Sequence, residues 1–178
     1  LLSGCRFVET DEKKAEKVYA AIRKKISSED LRRIYRVFLS SDGQKENKLL
    51  EYIVLGFREG SGISLLHSNP VVFAVQQCDH KVGLEAHRIK GLARFSALRS
   101  SKAGEGDKEI LYCLLEPDHD ILELLADHFA DRLKSDPFIM HDKTRKKAVF
   151  AQGGNWYISG FTEEDLPALG VGEREYRD

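Results

Sequence analysis

A chain of 178 residues with 42% hydrophobic side chains is long enough to bury about 70% of its unfolded surface, so one domain over residues 1–178 is expected. Its formal net charge of -1 argues against a protein that coats nucleic acid by bulk electrostatics, and Cys5, Cys78 and Cys113, odd in number, far apart and without a C-x-x-C, suggest neither a disulfide framework nor a cysteine metal cage. No apolar run approaches the roughly 20 residues that span a bilayer, and no export signal is legible, so a cytoplasmic setting away from membranes is expected.

Ala15, Val18, Tyr19, Ile22 and Ile26 follow helical spacing over residues 11–26, with Lys and Glu between them. Ser27 and Ser28 offer a capping hydroxyl, and Glu29 and Asp30 first-turn acids, to a second helix whose inward face is Leu31, Ile34, Tyr35 and Phe38. Asp42-Gly43 ends it. A third helix is expected to bury Leu49, Leu50, Ile53, Val54 and Phe57, and to stop at Gly60-Ser61-Gly62. Asn69-Pro70 opens a fourth, long helix carrying Val71, Val75, Cys78, Val82 and Ile89 and ending near Gly91.

The period then changes. Leu92–Leu98 and Glu109–Glu116 are rich in strand formers and flank the polar, glycine-containing loop Ser100–Asp107, which reads as a hairpin with a mobile tip. Pro117-Asp118 opens a helix with Leu122, Leu125, Phe129 and Leu133 inward. Phe138–Asp142, Ala148–Gln152 and Trp156–Gly160 read as three strands, the last two joined across Gly153-Gly154-Asn155. Helices followed by hairpins imply an α+β fold: a helical N-terminal part packed on a small antiparallel sheet, with one further helix between the hairpins. The start at Leu1 and the unpunctuated finish at Asp178 suggest a fragment of a longer chain.

The functional signal is a clustering of residue types. With His67 and His80 set aside as solvent or helix-end residues, the other four histidines stand beside acids or arginines: Glu85-Ala86-His87-Arg88, Asp118-His119-Asp120, His128 with Arg132, and His141-Asp142 with Arg145. Glu85 and Arg88 share a helix face one turn apart, and Gly91 lets the backbone turn toward Arg94, so a Glu, a His and two Arg are able to converge there. As a surface helix pair, Glu85 and Arg88 would be worth only tenths of a kcal/mol. His119 is predicted in a first helical turn, where the macrodipole favours the neutral ring, with Asp118 better read as the cap than as an acid catalyst. His128 with Arg132 is better read as a boundary pair than a catalytic one, and His141 and Asp142 should face opposite sides of a strand. Lys143, Arg145, Lys146 and Lys147 form either a solvated turn or a phosphate patch. The motifs of P-loop NTPases, dinucleotide enzymes, zincins and α/β-hydrolases are absent, and no histidine spacing is diagnostic of a metal.

Five stretches together resemble a bacterial and archaeal family of probable DNA metabolism proteins: Ile34–Ser40, Glu85-x-His87-Arg88-x-x-Gly91-x-x-Arg94-Phe95, Pro117-Asp118-His119-x-Ile121-Leu122, His128-Phe129-x-x-Arg132, and Ile139-x-His141-Asp142-x-x-Arg145. The resemblance spans nearly the whole chain. It implies a domain of unknown function paired with a radical S-adenosylmethionine protein in DNA modification or repair, and in some relatives joined to a uracil-DNA glycosylase-like domain. It leaves the cofactors and the reaction open. Under that resemblance Arg88, Arg94, Arg132 and Arg145 are the candidates for holding DNA phosphates, because guanidinium forks bind phosphate bidentately. His87, His119 and His141 are acid-base candidates with Glu85 orienting one of them, and Asp118, His128 and Asp142 support them. The alternative is a non-catalytic adaptor for the radical or glycosylase-like partner, with the same polar residues as a structural network.

Overall fold

The computed structural model describes residues 9–99 and 109–169, which form two compact units. The expected hairpin tip Ser100–Asp107, Cys5 and both chain ends lie outside the described residues. Among the described residues no helix is long and apolar enough to cross a membrane.

The first unit is helical: α1 (Glu12–Lys25), α2 (Ser28–Phe38), α3 (Lys45–Glu59), a 3-10 turn (Gly60–Leu65) and the start of α4 (Pro70–Leu92). Sequence punctuation sets the ends. Asp11 accepts the Lys14 amide at the head of α1 at 3.0 Å. At the head of α2, the Asp30 amide donates to Ser27 Oγ at 2.9 Å, a side-chain N-cap, and the Ser27 hydroxyl donates in turn to the Asp30 carboxylate at 2.5 Å. Asp30 is buried, and its carboxylate also accepts the Tyr52 hydroxyl at 2.7 Å and pairs with Arg33. The core of this unit is Ile22, Ile26, Val37, Leu49, Tyr52, Leu55, Ile63, Val72, Val75 and Cys78.

Here the expected stripes need correction. Val18, Tyr19, Tyr35 and Phe38 are exposed, and on α3 Leu50, Val54 and Phe57 are exposed while Tyr52, Leu55 and Gly56 are buried. α3 carries apolar residues round much of its girth, so spacing alone does not choose its inner face. Two residues with no apolar periodicity choose it: Tyr52, which is anchored to Asp30, and Gly56. A Cβ at Gly56 would lie 2.5 Å from Ile26 Cδ1, so glycine there permits the close approach of the chain end of α1.

The second unit comprises 39–41 and the chain from His80 onward. Its sheet has the order β1 (Ser96–Arg99), β2 (Glu109–Leu115), β3 (Phe138–Asp142), β4 (Lys147–Gln152), β5 (Asn155–Gly160). The fold is α+β as expected, but the sheet is mixed: β2 and β3 run parallel, with Leu111 opposite Phe138 and Leu115 opposite Asp142, and the other pairs are antiparallel. The reason is the crossover. A helix, α5 (Leu122–Arg132), returns the chain to the end of the sheet from which β2 departed.

One face of the sheet is sealed by α5 and the last turns of α4, around Val82, Ala86, Leu122, Leu125, Phe129, Met140 and Val149. The other face holds Leu98, Tyr112, Ile139 and Ala148 beneath Phe161, which follows β5. β3 is central and buried at all five positions, which is why His141 and Asp142 are both inaccessible. α4 extends through Leu92, so β1 starts at Ser96, four residues later than the strand formers suggest.

Candidate functional site

The segment between β2 and α5 departs from expectation in a way that organises the second unit. Pro117-Asp118 does not open a helix, since α5 begins at Leu122. The backbone amides that a helix would turn inward are taken by other partners. Buried Glu85 on α4 accepts the amide of Asp118 at 2.7 Å and that of His119 at 2.9 Å, and the Leu39 carbonyl accepts the amide of Asp120 at 2.9 Å. Asp118 is therefore not a helix cap, and His119 does not sit on a helix dipole.

The carbonyls of the same loop are held from the opposite direction. Arg145 donates Nη1 to the Pro117 carbonyl at 3.1 Å and Nη2 to the Asp118 carbonyl at 2.7 Å. Fully buried Asp142 fixes the arginine: it accepts Arg145 Nη1 at 3.0 Å and the Arg145 amide at 3.0 Å. A carboxylate buried at a strand end is stable when it is paired and hydrogen-bonded in this way. Glu85 and Arg145, the latter fixed by Asp142, thus clamp residues 117–119 through the backbone.

The clamped loop presents His119, which is half-buried and whose Nδ1 lies 3.2 Å from the Ser41 amide and 3.1 Å from Ser41 Oγ. An imidazole nitrogen facing a backbone N–H must be the acceptor, so this arrangement selects the Nε2–H tautomer. Glu85 orients His119 by holding its main chain, not its ring. Ser41 carried no signal in the sequence, because it lies 78 positions from its partner.

The remaining candidates lie elsewhere. His141 is buried, with Tyr112 Oη 2.7 Å from its Nδ1 and the Phe161 ring edge-on at 5.0 Å. Burial pushes its pKa below the ordinary histidine value, with smaller opposing effects from Glu163 and Asp142. His87 and Arg88 are exposed on α4 and their side chains make no hydrogen bond or ion pair among the described residues. His128 is exposed, edge-on to Phe129 at 5.0 Å. In the lysine-rich turn, Lys147 meets Asp120 at 2.7 Å, Lys143 meets Glu116 at 3.6 Å, and Arg145 meets Asp142, so acids neutralise much of that cluster.

Two arginines do converge. Arg94 and Arg132, 38 positions apart, line one cavity of about 210 Å³ together with Phe95 and Phe129. The two rings are 5.2 Å apart at centroid and set the floor between the end of α4 and the end of α5. Arg94 Nη1 donates to the carbonyls of Leu92 and Ala93 at 3.2 and 3.3 Å, which steadies the side chain at the helix end. Arg132 has no hydrogen-bond or ion-pair partner among the described residues. Among those residues no three His, Cys, Asp or Glu side chains group to hold a metal ion.

A family model described as a domain of unknown function, DUF4130, matches residues 43–176. The stretches around Glu85, Asp118, His128 and His141 that carry the resemblance fall inside that match, whereas Ile34–Ser40 falls outside it. No curated protein and no solved structure matches the chain.

Proposed function

The chain belongs to the DUF4130 family, a domain of unknown function, and from that premise we propose that it is a DNA-metabolism or repair factor that grips nucleic-acid phosphates with Arg94 and Arg132. The observation that supports this reading is the shared cavity: two exposed guanidinium groups reach one concave place, and among the described residues Arg132 has no acid to neutralise it. Charge left unpaired at a concave surface is suited to an anion. A chain with net charge -1 binds nucleic acid through such a local site or not at all. His119, held in one tautomer with Nε2–H, is the acid-base candidate of this reading, and the Glu85–Arg145–Asp142 clamp is its frame.

The test is fluorescence anisotropy with single-stranded, duplex and uracil-containing DNA, using the parent and an Arg94→Ala, Arg132→Ala double variant. The expected result is binding by the parent and a loss of at least about tenfold in the variant. Equal binding by a folded double variant would refute the assignment of these arginines.

A second reading, a non-catalytic adaptor for a radical S-adenosylmethionine or uracil-DNA glycosylase-like partner, is favoured by a different observation. In the first unit Val18, Tyr19, Tyr35 and Phe38 are exposed and line one apolar groove of about 560 Å³. Contiguous exposed apolar surface of this kind marks protein-binding sites. Co-purification of such a partner that is lost on Tyr19→Lys, with DNA affinity unchanged, would favour it.

A further inference from the structure

The sheet face away from α5 carries a second cavity, of about 350 Å³, within the size range of small-ligand sites. Strand alternation and register place Ile110, Ile139, Phe150, Gln152, Asn155 and Tyr157 on that one face, and all six line the cavity. Phe150 and Tyr157 lie directly opposite each other on β4 and β5, with rings stacked at 5.3 Å and 15°. Tyr157 is 62% exposed, so this stack is open to a third flat ring. Directly opposite each other one step along are Gln152 and Asn155, both exposed and with side chains that have no hydrogen-bond partner among the described residues. Their turn runs through Gly153 and Gly154, at φ 61° and 82°, and the Lys134 stem lies across Gly154.

We propose that this cavity takes an unpaired nucleobase, stacked on Tyr157 and read along its edge by the Gln152 and Asn155 amides. The inference rests on the nucleic-acid reading above and names its substrate as a strand with exposed bases. A flat apolar platform beside paired carboxamides suits a base more closely than a lipid tail or a peptide side chain. Stacking satisfies the ring face, and carboxamides offer the donor and acceptor pair that a base edge presents. The exposed Lys134 beside the turn supplies a cation for the neighbouring phosphate.

The experiment compares the affinity of the full chain for a single-stranded oligodeoxynucleotide and for an abasic strand of the same length, in the parent and in Tyr157→Ala, Tyr157→Phe and Gln152→Ala, Asn155→Ala variants. The base-bearing strand should bind about five- to 140-fold more tightly, the range that stacking of one base supplies. Tyr157→Ala should bring that ratio close to one without changing abasic affinity, Tyr157→Phe should retain it, and the double amide variant should reduce discrimination among bases. A parent ratio of one overturns the base pocket and leaves phosphate binding standing. A ratio that survives Tyr157→Ala in the folded variant overturns the pocket as well. Failure of both strands to bind overturns the phosphate reading and this inference together.

Discussion

Replacing Glu85 with Gln tests the clamp that positions His119. The native carboxylate accepts two backbone amides, at 2.7 and 2.9 Å, from a side chain that is only 7% exposed. A carboxamide presents one acceptor and one N–H donor, so one of the two amides meets a donor instead of an oxygen. A hydrogen bond to a charged group contributes about 1.5–3 kcal/mol, and the surviving bond becomes a neutral one worth about 1 kcal/mol. Two charged bonds lost and one neutral bond kept give an expected destabilisation of about 2–5 kcal/mol, measured as a shift of the urea midpoint at unchanged slope. Hydrogen exchange should locate it, with the Asp118 and His119 amides losing protection before those of β3. An unchanged midpoint together with unchanged protection at those two amides would refute the claim that Glu85 holds this loop.

Other outcomes follow from the same geometry. His141 has its pKa lowered by burial, so the unfolded chain binds the proton more readily, and the second unit should lose stability as pH falls below the ordinary histidine value near 6.5. In His141→Gln, whatever its stability at pH 7.5, the decline between pH 7.5 and 5.5 should flatten, and an equally steep decline in the variant would exclude this histidine as its cause. Gly56→Ala should destabilise by up to about 2 kcal/mol, the balance of overpacking against Ile26, at about 1–3 kcal/mol, and a gain in helix propensity of about 1 kcal/mol. The penalty should shrink in an Ile26→Val background, which lacks the Cδ1 that a new methyl would meet, and a calorimetric cycle of the two substitutions measures that coupling.

Much of the architecture was legible because it rests on local physics. Ser27 with Asp30, Pro70 at the head of α4, and the Gly153-Gly154 turn announce element ends through side chains or backbone freedom that act within a few residues. The parallel pairing of β2 with β3 was not, since hairpin signals say nothing about a strand that returns by a crossover. Nor was the start of α5. Helix-opening Pro117-Asp118 is overridden by Glu85, 33 positions away, whose buried carboxylate is the stronger attractor for the loop amides.

The candidate site divides along the same line. Residue type pointed to Glu85, His119, Asp142 and Arg145, yet only the tertiary contacts reveal that Glu85 and Arg145 hold the backbone that carries His119, with Asp142 fixing Arg145. His128 with Arg132 shared a helix by spacing, but Arg132 meets Arg94 at a cavity instead. Gln152, Asn155 and Tyr157 gave no signal as a group, because their relation depends on register across a hairpin.

The most direct test of phosphate contact by Arg94 and Arg132 is the dependence of DNA affinity on salt. Each phosphate contact contributes about 0.7 on single-stranded and about 0.9 on duplex DNA to the slope of log affinity against log salt, so Arg94→Ala with Arg132→Ala should make the slope shallower by about 1.4 or about 1.8 respectively. A parent and a folded double variant with identical slopes would contradict the account, whatever their absolute affinities.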